Sequence, residues 1–457
     1  MSVVVLEPVA GISGLQPLAV GEAARVLSMD ATGSRRLDGF FAQVRGVAAA
    51  LPEGRYVINL CEDRYRFLVA FCAVALRGQV TLLPPSRAPA VVTDVLAQYP
   101  DSYTLGDAAW PEGGAVPEPP CYWSLPAQLP ERGGPVPRID EQAVVAIGFT
   151  SGSTGTPKPN RKTLAAFRAS NGQNRAALED LWRGHALPHV VATVPPQHMY
   201  GMELSVLLPL LGPAAVHAER PFFPGDVARV LAQTPAPRLL ATTPVHLRAL
   251  VESGIELPPL CGIVSATAPL SAELAAAAET RFGCEVREMF GSTETCVIAR
   301  RRTAVEQAWT PLPGVSLQPK PDGTVVHAAH LPAPVALADL VEVQADGRFH
   351  LRGRQADLLE IAGKRASLGD LTRRLLAVPG VTDGVMLQLD ACSIRGVGRV
   401  AALVVAPTLD DAAILAALRA SIDPVFLPRP LKRVPALPRS DTGKLPRAEL
   451  LRLVQEG

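Results

Sequence analysis

The sequence predicts a doubly wound α/β fold, and two observations carry that prediction. Short apolar segments of strand length alternate with longer amphipathic segments through the first two thirds of the chain. Such alternation is typical of parallel sheets that are covered by helices on both faces. In addition, the 457 residues exceed the roughly 250–300 at which a single core stops growing, so two or more domains are expected.

The first strand–helix–strand unit lies near the N-terminus. Residues 55–60 predict a buried strand, residues 63–77 a helix, and residues 80–83 a second strand before Pro84. Two strands joined by a helix are expected to pair in parallel. Residues 106–138 are rich in Pro and Gly and predict an excursion over the surface.

The alternation resumes at Ala143 and continues for about 150 residues. The predicted elements are strand 143–149, loop 150–163, helix 164–178, strand 189–194, helix 203–211, strand 237–241, helix 244–253, strand 261–265, helix 271–281 and strand 285–289. After Trp309, short strands and turns such as Asp346-Gly347 predict a region with more β-structure than α-structure.

Composition excludes several classes of protein. A net charge of +1 gives no support for nucleic-acid binding through bulk electrostatics. The N-terminal residues lack a basic stretch and include Glu7, so a signal peptide is not expected. The most apolar run, residues 67–83, is interrupted by Arg77 and is too short to span a bilayer. Seven cysteines without a CxxC motif fit reduced thiols, which favours a cytoplasmic protein and gives no cysteine a role.

Three short motifs, far apart in the chain, carry the candidate chemistry. Residues 149–158 (FTSGSTGTPK) combine glycines, hydroxyls and a terminal lysine, which suits binding of phosphate oxygens, although the Walker A spacing is absent. Residues 290–294 (FGSTE) place an aromatic ring, a hydroxyl and a carboxylate together, which suits a nucleotide and Mg²⁺. Residues 440–444 (SDTGK) place a lysine behind a glycine near the C-terminus. In isolation the three would be interpreted as a flexible linker, a capped turn and a solvated lysine.

Together, in this order and spacing, the motifs resemble those of the adenylate-forming superfamily, which includes acyl- and aryl-CoA synthetases, adenylation domains of peptide synthetases, and luciferases. The resemblance covers residues 55–85 and 145–450. It implies a large N-terminal domain, residues 1–353, with doubly wound sheets and a distorted β-region. It also implies a small, mobile α+β C-terminal domain, residues 354–457, that carries the catalytic Lys444.

The resemblance assigns the first motif to the β- and γ-phosphates of ATP. The residues concerned are Thr150, Ser151, Gly152, Ser153, Thr154, Gly155, Thr156 and the catalytic Lys158. Pro159 stands where relatives usually have glycine, so the end of the loop is expected to be stiffer.

The nucleotide itself is assigned to further positions by the same resemblance. Phe290 would stack on adenine beside Gly291, Thr293 would contact the α-phosphate, and Glu294 would bind Mg²⁺ together with Thr154. The turn containing Ser265, Thr267 and Ala268 would bracket the adenine, with Thr267 at a position that is usually glycine. Asp339 would bind both ribose hydroxyls, and Arg354 would make a second ribose or phosphate contact.

The C-terminal domain is expected to turn about a hinge near residues 354–356, where relatives usually have Asp or Lys and this chain has Ala356. Gly363 would then line a tunnel for the phosphopantetheine thiol. Lys444 would lie between the acid carboxylate and the α-phosphate, where a cation reduces the repulsion between two anions.

The acid would be bound around residues 195–201 (PPQHMYG), where relatives that act on aromatic acids often have histidine. The candidate pocket residues are His198, Tyr200, Gly201 and Ser265. This stretch, with residues 423–430, is similar to standalone ligases of aryl-polyene and xanthomonadin pigment pathways, which charge an acyl carrier protein with hydroxybenzoate-like acids.

The sequence therefore predicts an ATP- and Mg²⁺-dependent ligase that activates a carboxylic acid, expected to be aromatic, and transfers it to a phosphopantetheine thiol. The expected acceptor is an acyl carrier protein, and free CoA is the alternative. Residues 354–457 contain 15 Lys+Arg and 11 Asp+Glu. This excess of positive charge suits an acidic carrier protein and the phosphates of CoA equally well. A relative that binds nucleotide without catalysis is a second alternative.

Overall fold

The computed structural model describes residues 14–84, 87–110, 118–150, 158–182, 187–321, 323–354, 358–361, 364–389, 399–419, 421–440, 443 and 445–456. The chain forms two compact units. Unit 1 extends to Glu306 and adds Leu312–Val315 and Ala328–Pro332; unit 2 comprises Gln307–Pro311, Ser316–His327 and the chain from Ala333 onward.

Unit 1 is an α/β body. Its strands are β1 (Leu15–Pro17), β2 (Val26–Asp30), β3 (Gly33–Arg36), β4 (Tyr56–Asn59), β5 (Val80–Leu83), β6 (Ser102–Gly106), β7 (Tyr122–Ser124), β8 (Arg138–Asp140), β9 (Val144–Thr150), β10 (Lys158–Thr163), β11 (His189–Ala192), β12 (Ala215–His217), β13 (Arg238–Thr242), β14 (Gly262–Ser265), β15 (Val286–Ser292) and β16 (Cys296–Arg301). Its α-helices are α1 (Leu37–Ala50), α2 (Arg64–Leu76), α3 (Pro89–Gln98), α4 (Leu164–Leu178), α5 (Met199–Met202), α6 (Leu208–Leu211), α7 (Pro224–Gln233), α8 (Pro244–Glu252) and α9 (Ala272–Phe282). A 3₁₀-helix at Glu179–Trp182 follows α4, and a π-helix at Glu203–Leu207 joins α5 to α6.

Two mainly parallel sheets organise this unit. In the first, the order is β10-β9-β5-β4-β6-β7, and every neighbouring pair is parallel except β9 with β10. In the second, the order runs β16-β15-β14-β13-β11-β12-β2-β3, with antiparallel pairing at β15–β16 and β2–β3. Parallel strands with intervening helices are the doubly wound arrangement, so the predicted fold class is confirmed.

Helix α2 explains the most apolar run in the sequence. Its residues from Arg64 to Ala75 are buried apart from Arg66, and it contacts β4 and β5 of the first sheet and β12 of the second. A helix that is apolar on all sides is expected in the interior of a large protein. Within the part of the chain that the structure describes, no helix is long and apolar enough to cross a membrane.

Unit 2 is built from short strands and three helices. Its strands are β17 (Thr310–Pro311), β18 (Ser316–Lys320), β19 (Gly323–His327), β20 (Val335–Ala336), β21 (Asp339–Val343), β22 (Phe349–Arg354), β23 (Leu358–Ile361), β24 (Lys364–Ser367), β25 (Asp383–Leu389), β26 (Arg399–Val405) and β27 (Leu431–Arg433). Its helices are α10 (Leu368–Leu376), α11 (Asp411–Arg419), α12 (Arg447–Gln455) and a 3₁₀-helix at Pro424–Phe426. One face of the β25-β26-β27 sheet packs on α10 and α11, and Leu450 and Val454 of α12 pack with Leu387, Ala401 and Leu403.

Most predicted elements occur with small shifts in their ends, but three predictions are wrong. The predicted loop 150–163 contains strand β10, which starts at Lys158. The helix predicted to begin at residue 203 begins at Met199. The strand predicted to end at residue 289 continues to Ser292, so Phe290 and Gly291 belong to β15. Strand β10 was missed because its side chains are polar. The start of α5 was misplaced because the helix begins inside an apolar run.

Two glycines of α1 differ in their surroundings and provide a matched test of the packing. A Cβ added to Gly46 would lie 1.9 Å from the carbonyl oxygen of Pro130, whereas a Cβ at Gly39 would meet nothing within 4 Å. We expect Gly46→Ala to lower the free energy of unfolding by about 1–3 kcal/mol, because backbone must move. Gly39→Ala should raise it by about 0.5–1 kcal/mol, because alanine favours helix. The free energies of unfolding are measured with urea. Equal changes in the two variants would contradict the close approach of Gly46 to the carbonyl of Pro130.

Candidate active site

The candidate adenine turn and the 290–294 motif lie at one edge of the second sheet. Strands β11, β13 and β14 are parallel and end at Ala192, Thr242 and Ser265, which lie at matching positions along the sheet. Ser265 is paired in turn with Glu288 of β15, just before Phe290. In open α/β sheets, ligands bind beyond the carboxyl ends of the parallel strands. The geometry therefore places the candidate adenine turn and the 290–294 motif at the edge where a ligand is expected.

Gly148 of β9 is the point where three predicted segments meet. A Cβ added to Gly148 would lie 2.6 Å from Cγ2 of Thr293 and 3.2 Å from Cε of Met199. Thr293 belongs to the nucleotide motif, Met199 follows His198, and Gly148 is two residues before Thr150, where the phosphate motif begins. The absence of a side chain at residue 148 thus allows the strand that leads into the phosphate motif to pack against Thr293 and Met199.

Buried polar groups hold the turn between β15 and β16. Within the turn, the Ser292 backbone N–H donates to Oγ1 of Thr295 at 3.0 Å. The Lys162 ammonium donates to the backbone carbonyl of Glu294 at 2.8 Å, and Nε2 of His330 lies 2.6 Å from the carbonyl of Thr295. A Cβ on Gly291 would lie 2.0 Å from the carbonyl of Cys296, so the chain needs glycine there. The conformation of the Glu294 segment is therefore fixed from several sides.

Glu203 is a buried carboxylate that supports the same turn. It accepts hydrogen bonds from Ser170 at 2.6 Å, from Asn174 at 2.9 Å and from the backbone N–H of Val297 at 3.0 Å. Burial raises the pKa of Glu203, against the opposing effect of these hydrogen bonds and of the charge of Lys162. The sequence reasoning missed Glu203 and Lys162. Polar residues at 170 and 174, four apart on an otherwise buried helix face, were the available signal.

The donor set around Glu294 fits a hard divalent cation that is shared with phosphate. The Glu294 side chain is half-buried, and no described residue engages its carboxylate in a hydrogen bond or ion pair. The described residues contain no group of three or more His, Cys, Asp or Glu that could hold a metal by themselves. One carboxylate beside phosphate oxygens is sufficient for Mg²⁺. The second predicted metal contact, Thr154, lies outside the described residues.

The candidate adenine turn is anchored to the sheet and strained. Oε1 of Glu288 accepts from the backbone N–H of Leu270 at 2.9 Å, which fixes the end of the turn. The Ser265 side chain is fully buried, and its hydroxyl has no hydrogen-bond partner among the described residues. Thr267 has φ +82°, a region that is costly for a β-branched residue and that suits the glycine expected at this position. Ala268, next to it, is half-buried.

His198 caps the helix that leads away from the candidate acid pocket. Its Nδ1 accepts from the backbone N–H of Tyr200 at 3.3 Å, and its side chain is half-buried. The Tyr200 hydroxyl donates to the carbonyl of Val264 at 2.8 Å, and burial raises the pKa of Tyr200. A Cβ on Gly201 would lie 2.0 Å from the carbonyl of Pro195. Packing alone therefore accounts for Tyr200 and Gly201, and their role as pocket walls stays a prediction.

Arg64 is a third residue that the sequence reasoning missed. Its side chain is fully buried and donates to the carbonyls of Ala192 at 2.9 Å and Val194 at 3.1 Å, and to Oγ of Ser205 at 2.6 Å. The guanidinium thus binds both sides of the segment that carries His198. Burial lowers its pKa to about 9, so it remains charged at neutral pH. An arginine within an apolar helical run was the signal in the sequence.

In unit 2, the two predicted ribose contacts are neighbours across a strand pair. Asp339 of β21 is paired with Arg354 of β22, and Asp339 is half-buried. Gly443 forms a turn in which its N–H donates to the carbonyl of Ser440 at 2.7 Å.

Lys158, at the start of β10 in unit 1, is exposed. Lys444, Gly363, Ala356 and residues 151–157 of the phosphate motif lie outside the described residues, as does the side chain of Thr150.

Comparison with known proteins identifies a family. Residues 42–346 match the family model described as AMP-binding enzyme. The 4-coumarate–CoA ligase of Halorhodospira halophila is 32% identical over 54% of this chain, and the match spans 59% of that relative. The 4-coumarate–CoA ligase of Rhodobacter capsulatus is also 32% identical, over 65% of this chain and 74% of its own length. The sulfoacetate–CoA ligase of Cupriavidus necator is 28% identical over 72% of this chain and 71% of its own length.

Solved structures support the fold over nearly the whole chain. ATP-bound MatB from Rhodopseudomonas palustris aligns with a TM-score of 0.78 at 19% identity, covering 96% of this chain and 97% of that one. The o-succinylbenzoate CoA synthetase MenE from Bacillus subtilis, in complex with an acyl-adenylate, aligns with a TM-score of 0.78 at 16% identity, covering 95% and 98%.

The positive φ of Thr267 leads to a stability prediction. We expect Thr267→Gly to raise the free energy of unfolding by about 0.5–1 kcal/mol, because glycine adopts this backbone region without steric cost. The matched control is Thr93→Gly on the exposed face of α3, which should lower it by about 0.5 kcal/mol. Thermal unfolding of both variants beside the parent checks the difference. If Thr267→Gly loses as much stability as the control, the backbone of Thr267 is not strained.

Proposed function

Because this chain belongs to the AMP-binding enzyme family, we propose that it activates a carboxylic acid with ATP and then transfers the acyl group to a thiol. The observation that supports this most directly is the convergence at Gly148, where Thr293 and Met199 pack at the start of the phosphate motif. Polyphosphate, α-phosphate and acid would then be bound by segments that meet near residue 148, where β9 of the first sheet lies against the turn after β15 of the second.

In the first half-reaction, a carboxylate oxygen of the acid attacks the α-phosphorus of ATP. The bond from that phosphorus to the bridging oxygen breaks, which yields acyl-AMP and pyrophosphate. The backbone and hydroxyls of residues 150–156, with Lys158, would hold the leaving pyrophosphate, and Thr293 would contact the α-phosphate. Mg²⁺ held through Glu294 would neutralise phosphate charge. Lys444 would stabilise the charge that develops between carboxylate and phosphate.

In the second half-reaction, a thiol attacks the acyl carbon and AMP leaves, so one difficult condensation is divided into two displacements. The sequence favoured an acyl carrier protein as acceptor. The curated relatives are named as CoA ligases, which favours CoA, and we place CoA first. Gly363 and the rotation near Ala356 would serve either thiol.

For the acid, an aromatic ring is the better supported choice. Two of the relatives are named for 4-coumarate, and His198, half-buried at the start of α5, would pack against a ring. The relative named for sulfoacetate favours a small polar acid instead. The acyl-CoA synthetase ACSM2 of Rattus norvegicus, 26% identical over 68% of this chain, is named for acyl groups in general, so acids without a ring are tested as well.

We expect ATP–pyrophosphate exchange with at least one aromatic acid from a panel of hydroxybenzoates, cinnamates, sulfoacetate and fatty acids. Thioester formation is then followed with CoA and, separately, with a phosphopantetheinylated carrier protein. Exchange with fatty acids alone would contradict the aromatic prediction but preserve the reaction class. Binding of ATP without exchange for any acid would favour the non-catalytic alternative.

Lys444→Ala should lower the exchange rate by roughly a hundredfold or more, because the cation acts only as charge develops in the transition state. ATP affinity should change little. Lys320→Ala, an exposed lysine on β18, is the matched control and should keep the parent rate. An unchanged exchange rate in Lys444→Ala would exclude this lysine from the first half-reaction.

A further inference from the structure

We propose that Lys162 is a positioning residue for the metal site, because it holds the peptide of Glu294 so that the carboxylate faces the nucleotide phosphates. This inference rests on the proposed function, since it takes Glu294 as the Mg²⁺ ligand. Lys162 has no predicted contact with nucleotide or acid, and its contribution is to the orientation of another residue.

The geometry places Lys162 between two parts of the candidate site. It lies on β10, four residues after Lys158, and its Cα is paired with that of Ala146 on β9. Its Nζ donates to the carbonyl of Glu294 at 2.8 Å, across 132 residues of sequence. One side chain therefore connects the strand that leaves the phosphate motif with the turn that carries the candidate metal ligand.

The ammonium of Lys162 is buried, so it needs a hydrogen-bond acceptor at a defined position. The side chain is 5% exposed and makes no ion pair with any residue that the structure describes. Burial raises the pKa of Glu203 and the pKa of the Cys296 thiol, and the charge of Lys162 opposes both shifts. Removing an ammonium from water is costly unless hydrogen bonds compensate. The bond to the Glu294 carbonyl is charge-assisted, and such bonds are stronger than those between neutral groups.

The other contacts of the turn act on different residues. Thr295 is held through Ser292 and His330, and Val297 is held through Glu203. The Lys162 bond acts on residue 294 itself. Loss of the ammonium should therefore leave the flanks of the turn in place while the Glu294 peptide gains freedom to rotate. Partners that orient a metal ligand typically contribute about 10–100-fold to metal affinity or activity.

The test separates metal binding from nucleotide binding. Binding of a non-hydrolysable ATP analogue with a methylene between the α- and β-phosphates is measured by calorimetry, without Mg²⁺ and across a Mg²⁺ titration. We expect Lys162→Met to raise the Mg²⁺ concentration at half-effect by about tenfold or more, with the Mg²⁺-free affinity within about twofold of the parent. Lys162→Arg, which keeps a cationic donor, should recover part of the shift. Lys320→Met controls for the loss of a lysine.

Two results would overturn the inference. One is a folded Lys162→Met variant with the parent's Mg²⁺ dependence. The other is an equal loss of affinity with and without Mg²⁺, which would indicate a general structural role. If Lys162→Met fails to fold, Lys162→Gln is measured in its place, because it keeps a polar side chain but loses the charge and the reach, and the same criteria apply.

The binding measurement also distinguishes this inference from the proposed function. If the parent protein binds the analogue in a Mg²⁺-dependent way but gives no exchange with any acid, the proposed function fails. The role of Lys162 is still decided by the titration. If exchange is normal and Lys162→Met has no effect on the titration, the positioning role alone fails.

Discussion

The requirement that buried polar groups be satisfied is the constraint on which the candidate site depends. Arg64 meets it at the end of β11 through its Nη2, which donates to the carbonyls of Ala192 and Val194, although its Nε has no hydrogen-bond partner among the described residues. Lys162 and Glu203 meet it at the turn after β15, through the carbonyl of Glu294 and the N–H of Val297. In each case a charged side chain from one element fixes the backbone of another. The segments that follow β11 and β15 are irregular, and the hydrogen bonds from Arg64, Lys162 and Glu203 fix their backbone conformation.

The sequence predicted the class of fold because apolar periodicity reports the regular elements well. Helix α4 was predicted with the residue limits that the structure shows, and the predicted limits of β4, β5, β9, β11, β13 and β14 differ from the observed ones by two residues at most. Strand β10 was missed because Lys158, Asn160 and Lys162 give it no apolar alternation. The roles of Lys162 and Glu203 were missed for a related reason. A charged residue is expected at the surface, and the partners that make its burial possible lie far away in the sequence.

The identity of the thiol acceptor was beyond what charge could decide. An excess of basic residues after position 353 would suit an acidic carrier protein and the phosphates of CoA equally, because both present clustered negative charge. The names of the related enzymes, which are CoA ligases, favour CoA over a carrier protein as the acceptor. The nucleotide motifs allow a more specific prediction, because few residue types can approach phosphate, stack on a base and bind Mg²⁺ within so short a segment.

Pro159 has a consequence beyond the loop that precedes it. In the described sheet, β10 is the edge strand, and Pro159 is paired with Phe149 across the antiparallel ladder. A strand edge with free N–H groups can recruit a strand from another copy of the chain, and proline removes one such donor. Lys158 and Arg161, both exposed, add like charges that repel a second copy. The departure from glycine is therefore also expected to disfavour pairing of β10 with a strand from another copy of the chain.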